Sequence, residues 1–300
     1  MDLVMYWFMF PVSILVATTA MLSGIGGAAY FMPIFIIIFP MLGPEYPLAS
    51  PVAAIGVALL TETFGFSSGF VGYFRKRLID FKVARSFLVF SVPAAIAGAL
   101  LSHLTDSNLL LMGYGALMLI LTVVLFRGHE VEIDATNGNN DKAPYRSRHQ
   151  TQPHSTTARN GDVFQYHFHR PRGGSIPLAT GGFLTGILSV GIGEVVMPLL
   201  VKRYRIPVPV AAATSILVVI ITVMSASFTH ISTLIAEGGV NAVPWNLVMY
   251  TIPAVIIGGQ IGPRLQGVVP SRTMEKVIAS LFFIIGIAML WIVFKPFIGT

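Results

Sequence analysis

The chain has 300 residues; 54% are hydrophobic, only 11% are charged, and the net charge is +6. Mean hydropathy is +0.77, whereas a soluble domain carries about 25% charged residues, so the composition excludes an ordinary soluble protein and points to a membrane domain. No cysteine is present, which removes disulfides and thiolate metal ligands.

Eight apolar segments are predicted in chain order. The stretch from Met1 to Pro11 holds no Lys or Arg, which favours a retained membrane segment over a cleaved signal peptide. The first segment, 7–39, contains Gly-Ile-Gly-Gly from Gly24 to Gly27 and continues to Pro33. The second, 49–73, begins around Pro51-Val52-Ala53-Ala54, places Glu62 between Thr61 and Thr63, and carries Ser67 and Ser68. Segments at 84–103 and 108–126 complete the first half. A polar stretch from Arg127 to Gly173 follows, poor in aliphatic residues and holding His149, His154, His167 and His169. It cannot bury enough apolar surface to fold alone and is predicted to be a flexible, basic, cytoplasmic linker. Its His-X-His pattern at 167–169 stands without cysteine and with few carboxylates, so no metal site and no cofactor is expected. The fifth segment, 174–201, contains Gly191-Ile192-Gly193-Glu194 and continues to Pro198. The sixth, 207–235, opens on Pro209-Val210-Ala211-Ala212, carries Thr214, Ser215 and Ser225, and ends near His230. Segments at 244–263 and 274–294 close the chain.

The halves share one plan. The second glycine motif, the second Pro-Val-Ala-Ala and Pro253 lie 167, 158 and 160 residues after their first-half counterparts. This divides the chain into repeat 1 (1–126), linker (127–173) and repeat 2 (174–300). Apolar repeats whose helices are broken by glycine at matching places are the pattern of a secondary transporter. Basic residues set the topology, because Lys and Arg collect in short cytoplasmic loops. Eight plain crossings would put the basic loops 75–82 and 202–205 on opposite sides. If segments 1 and 5 instead enter and return at their glycine breaks, all of the 19 Lys and Arg except Lys295 fall inside. The expected fold is therefore an all-α polytopic membrane protein of two inverted repeats, each a broken-helix hairpin plus three transmembrane helices, with both termini outside.

A half-helix that starts after such a break aims free N–H groups and the positive end of its dipole at a cavity. Gly24, Gly26, Gly27, Gly191 and Gly193 are accordingly candidate substrate-binding positions for a small anion, with Ser67, Ser68, Thr214, Ser215 and Ser225 as candidate hydroxyl lining. The same small residues could equally serve helix packing, and the hydroxyls could bond back to helix carbonyls. Glu62 and Glu194 are intramembrane carboxylates, costly to hold ionised, and are candidate proton-coupling residues. A satisfied interfacial role is the plainer reading of His230.

The order of these motifs resembles the TauE/SafE family of sulfite exporters and sulfonate permeases. The first half is similar through the run Gly24–Phe35, Pro51–Ala54, Ser67–Tyr73 and Leu78–Phe81; the second through Gly191–Leu200, Pro207–Ser215, Pro244–Tyr250 and Ile252–Pro263. The resemblance implies an inner-membrane permease for sulfite, organosulfonates or related small sulfur-containing or carboxylate anions, and no enzymatic activity. It leaves substrate, direction, coupling ion and oligomeric state open. The linker is longer than the compact family pattern, and Glu194 stands where the first motif has Gly27. Two intramembrane carboxylates keep a second expectation open, a cation or metal-ion transporter using Glu62 and Glu194. The expected partners are the lipid bilayer, a small anion and a coupled proton, with no nucleic acid. No nucleotide-binding motif is present to drive transport by ATP.

Overall fold

The computed structural model describes residues 4–23, 25–126, 154–157, 159, 161, 163–166, 168, 175–265 and 271–298. Gly24, His167 and His169 lie outside them. The described residues are all-α apart from one small hairpin of strands. The first half runs α1 (Met9–Ser23), α2 (Ala28–Leu42), α3 (Pro51–Arg75), α4 (Phe81–His103) and α5 (Ser107–Phe126). The second half runs α6 (Ser175–Leu188), α7 (Ile192–Pro198, continued by a π turn at Leu199–Arg203), α8 (Val208–Gly238), α9 (Trp245–Leu265) and α10 (Ser271–Ile298).

Five described helices are long and apolar enough to cross a membrane: α3, α4, α5, α8 and the Lys276–Lys295 part of α10. The sequence predicts six. The exception is α9, which has the length but whose Asn246, Gln260 and Arg264 lower its apolarity. Local chemistry sets the ends. Ser50 caps α3 by accepting the Ala53 N–H at 3.1 Å, with Pro51 at the first turn. Asp80 caps α4 by accepting from Lys82 and Val83 at 2.8 and 3.1 Å. Proline shapes the return helices alike in both halves. Pro33 and Pro198 each lack the N–H that a regular ladder needs, and a π turn follows each, at Ile34–Ile38 and Leu199–Arg203.

The first and second helices of each half fold back on one another. Tyr6, just before α1, stacks on Phe39 near the end of α2 with ring centroids 5.2 Å apart, and its hydroxyl donates to the Tyr46 carbonyl at 2.9 Å. Chain that enters with Tyr6 has therefore returned to the same level by Phe39. In the second half a Cβ at Gly181 of α6 would lie 3.2 Å from Val195 of α7. The break falls at Ser189–Gly191, not at Gly191–Gly193 as predicted. Ser189 and Gly191 take φ of 64° and 145°, whereas Gly193 is already helical.

Packing between the halves follows a rule of exchange. The first hairpin, through α1, packs on α9, and the second, through α6, packs on α4; α3 packs on both α8 and α9, α8 packs on α4, and α5 packs on α10. Swapping the halves returns the same set of pairs. Two buried hydroxyl pairs obey it too: Thr61 of α3 meets Thr251 of α9 at 3.0 Å, and Thr222 of α8 meets Ser91 of α4 at 2.8 Å. Contacts along α1 and α9 advance together, Ile14 beside Gly258 and Met21 beside Gly262. Those along α4 and α6 do likewise, Ser91 beside Gly182 and Ala95 beside Gly186. The glycines let the backbones touch, which is what drives helix association in lipid, where burial alone gives no advantage.

The linker is not uniformly without structure. Two short antiparallel strands, β1 (His154–Thr157) and β2 (Val163–Tyr166), lie within it. They dock onto the membrane domain. The Tyr166 hydroxyl donates to Asp80 at 2.6 Å, Arg159 N–H donates to the Lys76 carbonyl at 3.1 Å, and Phe168 packs between Phe87 and Tyr204. The composition argument fails here because the partner apolar surface comes from α4 and α7, not from the linker itself. Tyr166 holds its proton well above the usual tyrosine range, because burial and the Asp80 carboxylate both oppose a phenolate.

Candidate functional site

The two glycine breaks meet in the interior, and two carboxylates stand between them. Glu62, 3% exposed on α3, accepts the Ala28 N–H at 2.9 Å through Oε2 and lies close to the Gly27 N–H. Its Oε1 fills the space beside Gly26, where an added Cβ would lie 2.9 Å from it. On the other hairpin, Glu194 accepts the Gly191 N–H of its own break at 3.0 Å. The Ile192 N–H goes to Thr185 Oγ1 at 2.7 Å. The Glu194 carboxyl also faces the Gly26 N–H of the first hairpin and stands within electrostatic reach of Glu62. Its Oε1 is buried and has no hydrogen-bond partner among the described residues.

Several donors at the half-helix ends are thus held by protein acceptors, Ala28 by Glu62, Gly191 by Glu194 and Ile192 by Thr185. An unpaired N–H in a low-dielectric interior costs several kcal/mol, and a carboxylate on a positive helix end is the strongest acceptor at hand. The halves supply these carboxylates differently. The first hairpin takes its own from α3, the second from within its break.

The hydroxyls expected to line the site are mostly engaged in fold contacts. Ser68 Oγ donates to the Ile256 carbonyl at 2.7 Å and receives Gln260. Thr214 accepts the Asp80 N–H at 3.0 Å. Ser215 and Ser225 bond back to the Ala212 and Ile221 carbonyls. Ser67 is half-buried on the α3 turn after Glu62. Gly193 sits in the first turn of α7, beside the break.

Two tyrosines belong to the site that the sequence did not single out. Tyr114 of α5, fully buried, donates to the Ala29 carbonyl at 2.8 Å and so fastens the first turn of α2. Tyr30 of α2 places its hydroxyl 3.4 Å from Ser23 Oγ across the first break. Both lie within electrostatic reach of Glu194. The available signal was a lone tyrosine between Gly113 and Gly115 in an otherwise aliphatic helix. Behind Glu62 lies a small, partly open pocket walled by Ala17, Ala20, Met21, Phe31, Phe66 and Val255, and among the described residues Glu62 is its one charged neighbour. Among the described residues, no three His, Asp or Glu side chains converge to hold a metal ion.

The sequence model of the family described as "Sulfite exporter TauE/SafE" matches residues 9–289. The chain belongs to this family. Two Bacillus subtilis (strain 168) proteins are similar along almost their whole length. "Probable membrane transporter protein YunE" is 22% identical over 278 residues, covering 93% of this chain and 94% of that protein. "Probable membrane transporter protein YjnA" is 22% identical over 280 residues, covering 90% and 93%. No solved structure matches. Like the rest of the TauE/SafE family, the chain is a multi-pass membrane transporter of the cell membrane, not an enzyme.

Proposed function

We propose that the chain is a secondary transporter for a small anion, sulfite, an organosulfonate or a related carboxylate, and that it exchanges protons with its substrate at Glu62 and Glu194. The observation that carries the reading is that both hairpin tips already hold a carboxylate on their N–H donors, Glu62 on Ala28 and Glu194 on Gly191. An incoming anion wants the same donors. It can take them only when the carboxylate is protonated and lets go, so anion binding and proton binding favour each other. By linkage the coupling is reciprocal, and a downhill proton gradient can then drive the anion, or the reverse.

The exchange symmetry of the packing supports an inverted repeat. With α9 parallel to α1 and α6 parallel to α4, the first hairpin enters from the end bearing residues 43–50, and the second from the end bearing the basic loops. Such halves can rock about the shared tips and expose the site to one side at a time. The basic end, with Arg75 to Lys82 and Lys202 to Arg205, is the cytoplasmic one by charge. A second reading, a cation transporter, is favoured by the same two carboxylates and by the lack, among the described residues, of Lys or Arg beside them.

Purified protein in liposomes decides between them. A pH jump should drive uptake of sulfite or a sulfonate, with proton movement of matching stoichiometry. Flux of monovalent or divalent cations without any anion flux would overturn the anion reading.

A further inference from the structure

Each return helix ends on an aromatic residue at the same place. Phe39 follows the π turn Ile34–Ile38 in the first hairpin, and Tyr204 follows the π turn Leu199–Arg203 in the second. Around Phe39 pack Tyr6, Phe8 and Tyr46, with ring centroids 5.2, 6.1 and 6.5 Å away. Tyr204 stands among the basic residues Lys202, Arg203 and Arg205. Its neighbours are Phe87 of α4 at 5.6 Å and Phe168 at 5.3 Å. The first cluster is closed by rings of its own repeat. The second borrows Phe168 from the linker.

The linker strands sit over the join of three elements. Tyr166 and Phe168 are buried there. The Tyr166 hydroxyl donates to Asp80 at the start of α4, and the Asp80 N–H donates to Thr214 Oγ1 of α8 at 3.0 Å. Phe168 reaches the end of the α7 extension through Tyr204. Beneath this cover the facing residues of α8 and α7 lead inward. Ser215, next to Thr214, sets its Oγ 3.9 Å from Met197 Sδ, and Met197 lies one turn after Glu194 on α7.

The attachment is of a kind that can come and go. β1 and β2 pair over four residues each, and an isolated two-stranded hairpin is marginally stable in water, so docking is what orders it. The docked side offers ring contacts, the Tyr166–Asp80 bond and the bond from the Arg159 N–H to the Lys76 carbonyl. At the aqueous end of the molecule each freed polar group finds water, so undocking leaves none of them buried and unpaired.

We propose that the linker hairpin, with Phe168, is a cytoplasmic gate. Docked, it closes the mouth between α4, α7 and α8 that leads to Glu194. Lifted, with Phe168 withdrawn from Phe87 and Tyr204, it opens that mouth to the cytoplasm. The proposal rests on the alternating-access reading above and gives its inward-opening step a moving part.

The test uses the full cysteine-free chain carrying single cysteines, in lipid nanodiscs, with N-ethylmaleimide as the probe. Ser215→Cys reports on the mouth. Ser102→Cys, buried at the far end of α4, reports on general loosening. Adding Phe168→Ala should raise the alkylation rate at Ser215→Cys by roughly fivefold or more, as expected when local opening exposes a site, and leave Ser102→Cys within twofold. No rise at Ser215→Cys, or an equal rise at both, overturns the gate. Should Phe168→Ala fail to fold, Tyr166→Phe replaces it and is read by the same two reporters. A second arm ties the gate shut. Arg159→Cys and Lys76→Cys, joined by a short bifunctional maleimide in liposomes, should lose about tenfold or more of the exchange of labelled for unlabelled sulfite at equal pH, because a cover that must move sets the turnover. Exchange within twofold of the same variant before joining overturns the gate, since a static contact tolerates a covalent tie. Alkylation needs no substrate, so the two ideas separate. A parent that moves no sulfite sinks the anion reading and leaves alkylation to decide the gate.

Discussion

Glu62→Gln tests the competition between carboxylate and substrate most directly. In the parent, the Glu62 carboxyl holds the Ala28 N–H at 2.9 Å with Gly27 beside it, a bond to a charged group whenever Glu62 is ionised. A hydrogen bond to a charged group contributes about 1.5–3 kcal/mol, and 1.4 kcal/mol is tenfold in affinity, so displacing one such bond weakens anion binding by roughly 10- to 100-fold. Glutamine stands in for the protonated acid: it has the same shape and a weaker, neutral acceptor. At a pH alkaline enough to ionise the parent's Glu62 fully, the variant should therefore bind the anion about as tightly as the parent binds it in acid, a gain of roughly 10- to 100-fold. The parent's affinity should fall as pH rises, by up to about tenfold per unit for one coupled proton, and the variant should lose that part of the slope. Titration calorimetry on the purified protein measures both. Methanesulfonate is the cleaner probe beside sulfite, because its own charge does not change between acid and alkaline pH. Unchanged or weaker binding by Glu62→Gln at that alkaline pH, with the slope intact, would refute the reasoning.

Further outcomes follow from the same geometry. Gly186→Ala would drive a methyl into the Ala95 carbonyl of α4; overpacking of this kind costs about 1–3 kcal/mol, and the thermal melting point of the purified protein should drop accordingly, whereas Gly72→Ala, which meets nothing within 4 Å, should leave it unchanged. Gly191→Ala combines a φ of 145° with a Cβ 2.8 Å from the Gly181 carbonyl, so it should abolish sulfite transport by displacing the start of α7, and normal transport by well-folded variant would show that this turn does not position the site. Tyr166→Phe removes the 2.6 Å bond to Asp80 and should speed hydrogen exchange across residues 154–166. Because the raised Tyr166 pKa makes this bond one that is present below the ordinary tyrosine value of 10.0 and lost as pH rises well above it, the protection of these amides, measured against their intrinsic base-catalysed rate, should persist up to that pH. Single cysteines in this cysteine-free chain report topology: Leu104→Cys should react with an impermeant thiol reagent from outside and Lys76→Cys only from the cytoplasm, and the reverse pattern would invert the assigned sides.

Much of the fold is legible in the sequence because it is written locally. Serine and aspartate at the starts of α3 and α4, glycine at the two breaks and proline before the two π turns act on their own backbone within a turn or two. The spans announce themselves by length and apolarity, and the loops by charge. The weakest of these signals is α9, where polar residues that serve contacts with α3, such as Gln260 on Ser68, dilute the membrane signal. The site was legible only in part. Glu62 and Glu194 stand out as charges in apolar helices, but the hydroxyls do not reveal whether they face a substrate or a carbonyl one turn back.

By itself, then, the chain's sequence settled a duplicated apolar plan, its breaks and the two carboxylates. Tertiary packing decided what those groups touch. A broken helix must have its exposed N–H groups satisfied, but the acceptor is whichever neighbour arrives beside it: Glu62 comes from the next helix, while Glu194 comes from the break itself. For the same reason the docked strands of the linker and the facing pair His103 and His230 are invisible in one dimension. Each depends on residues that lie far apart in the chain, and no local periodicity encodes that meeting.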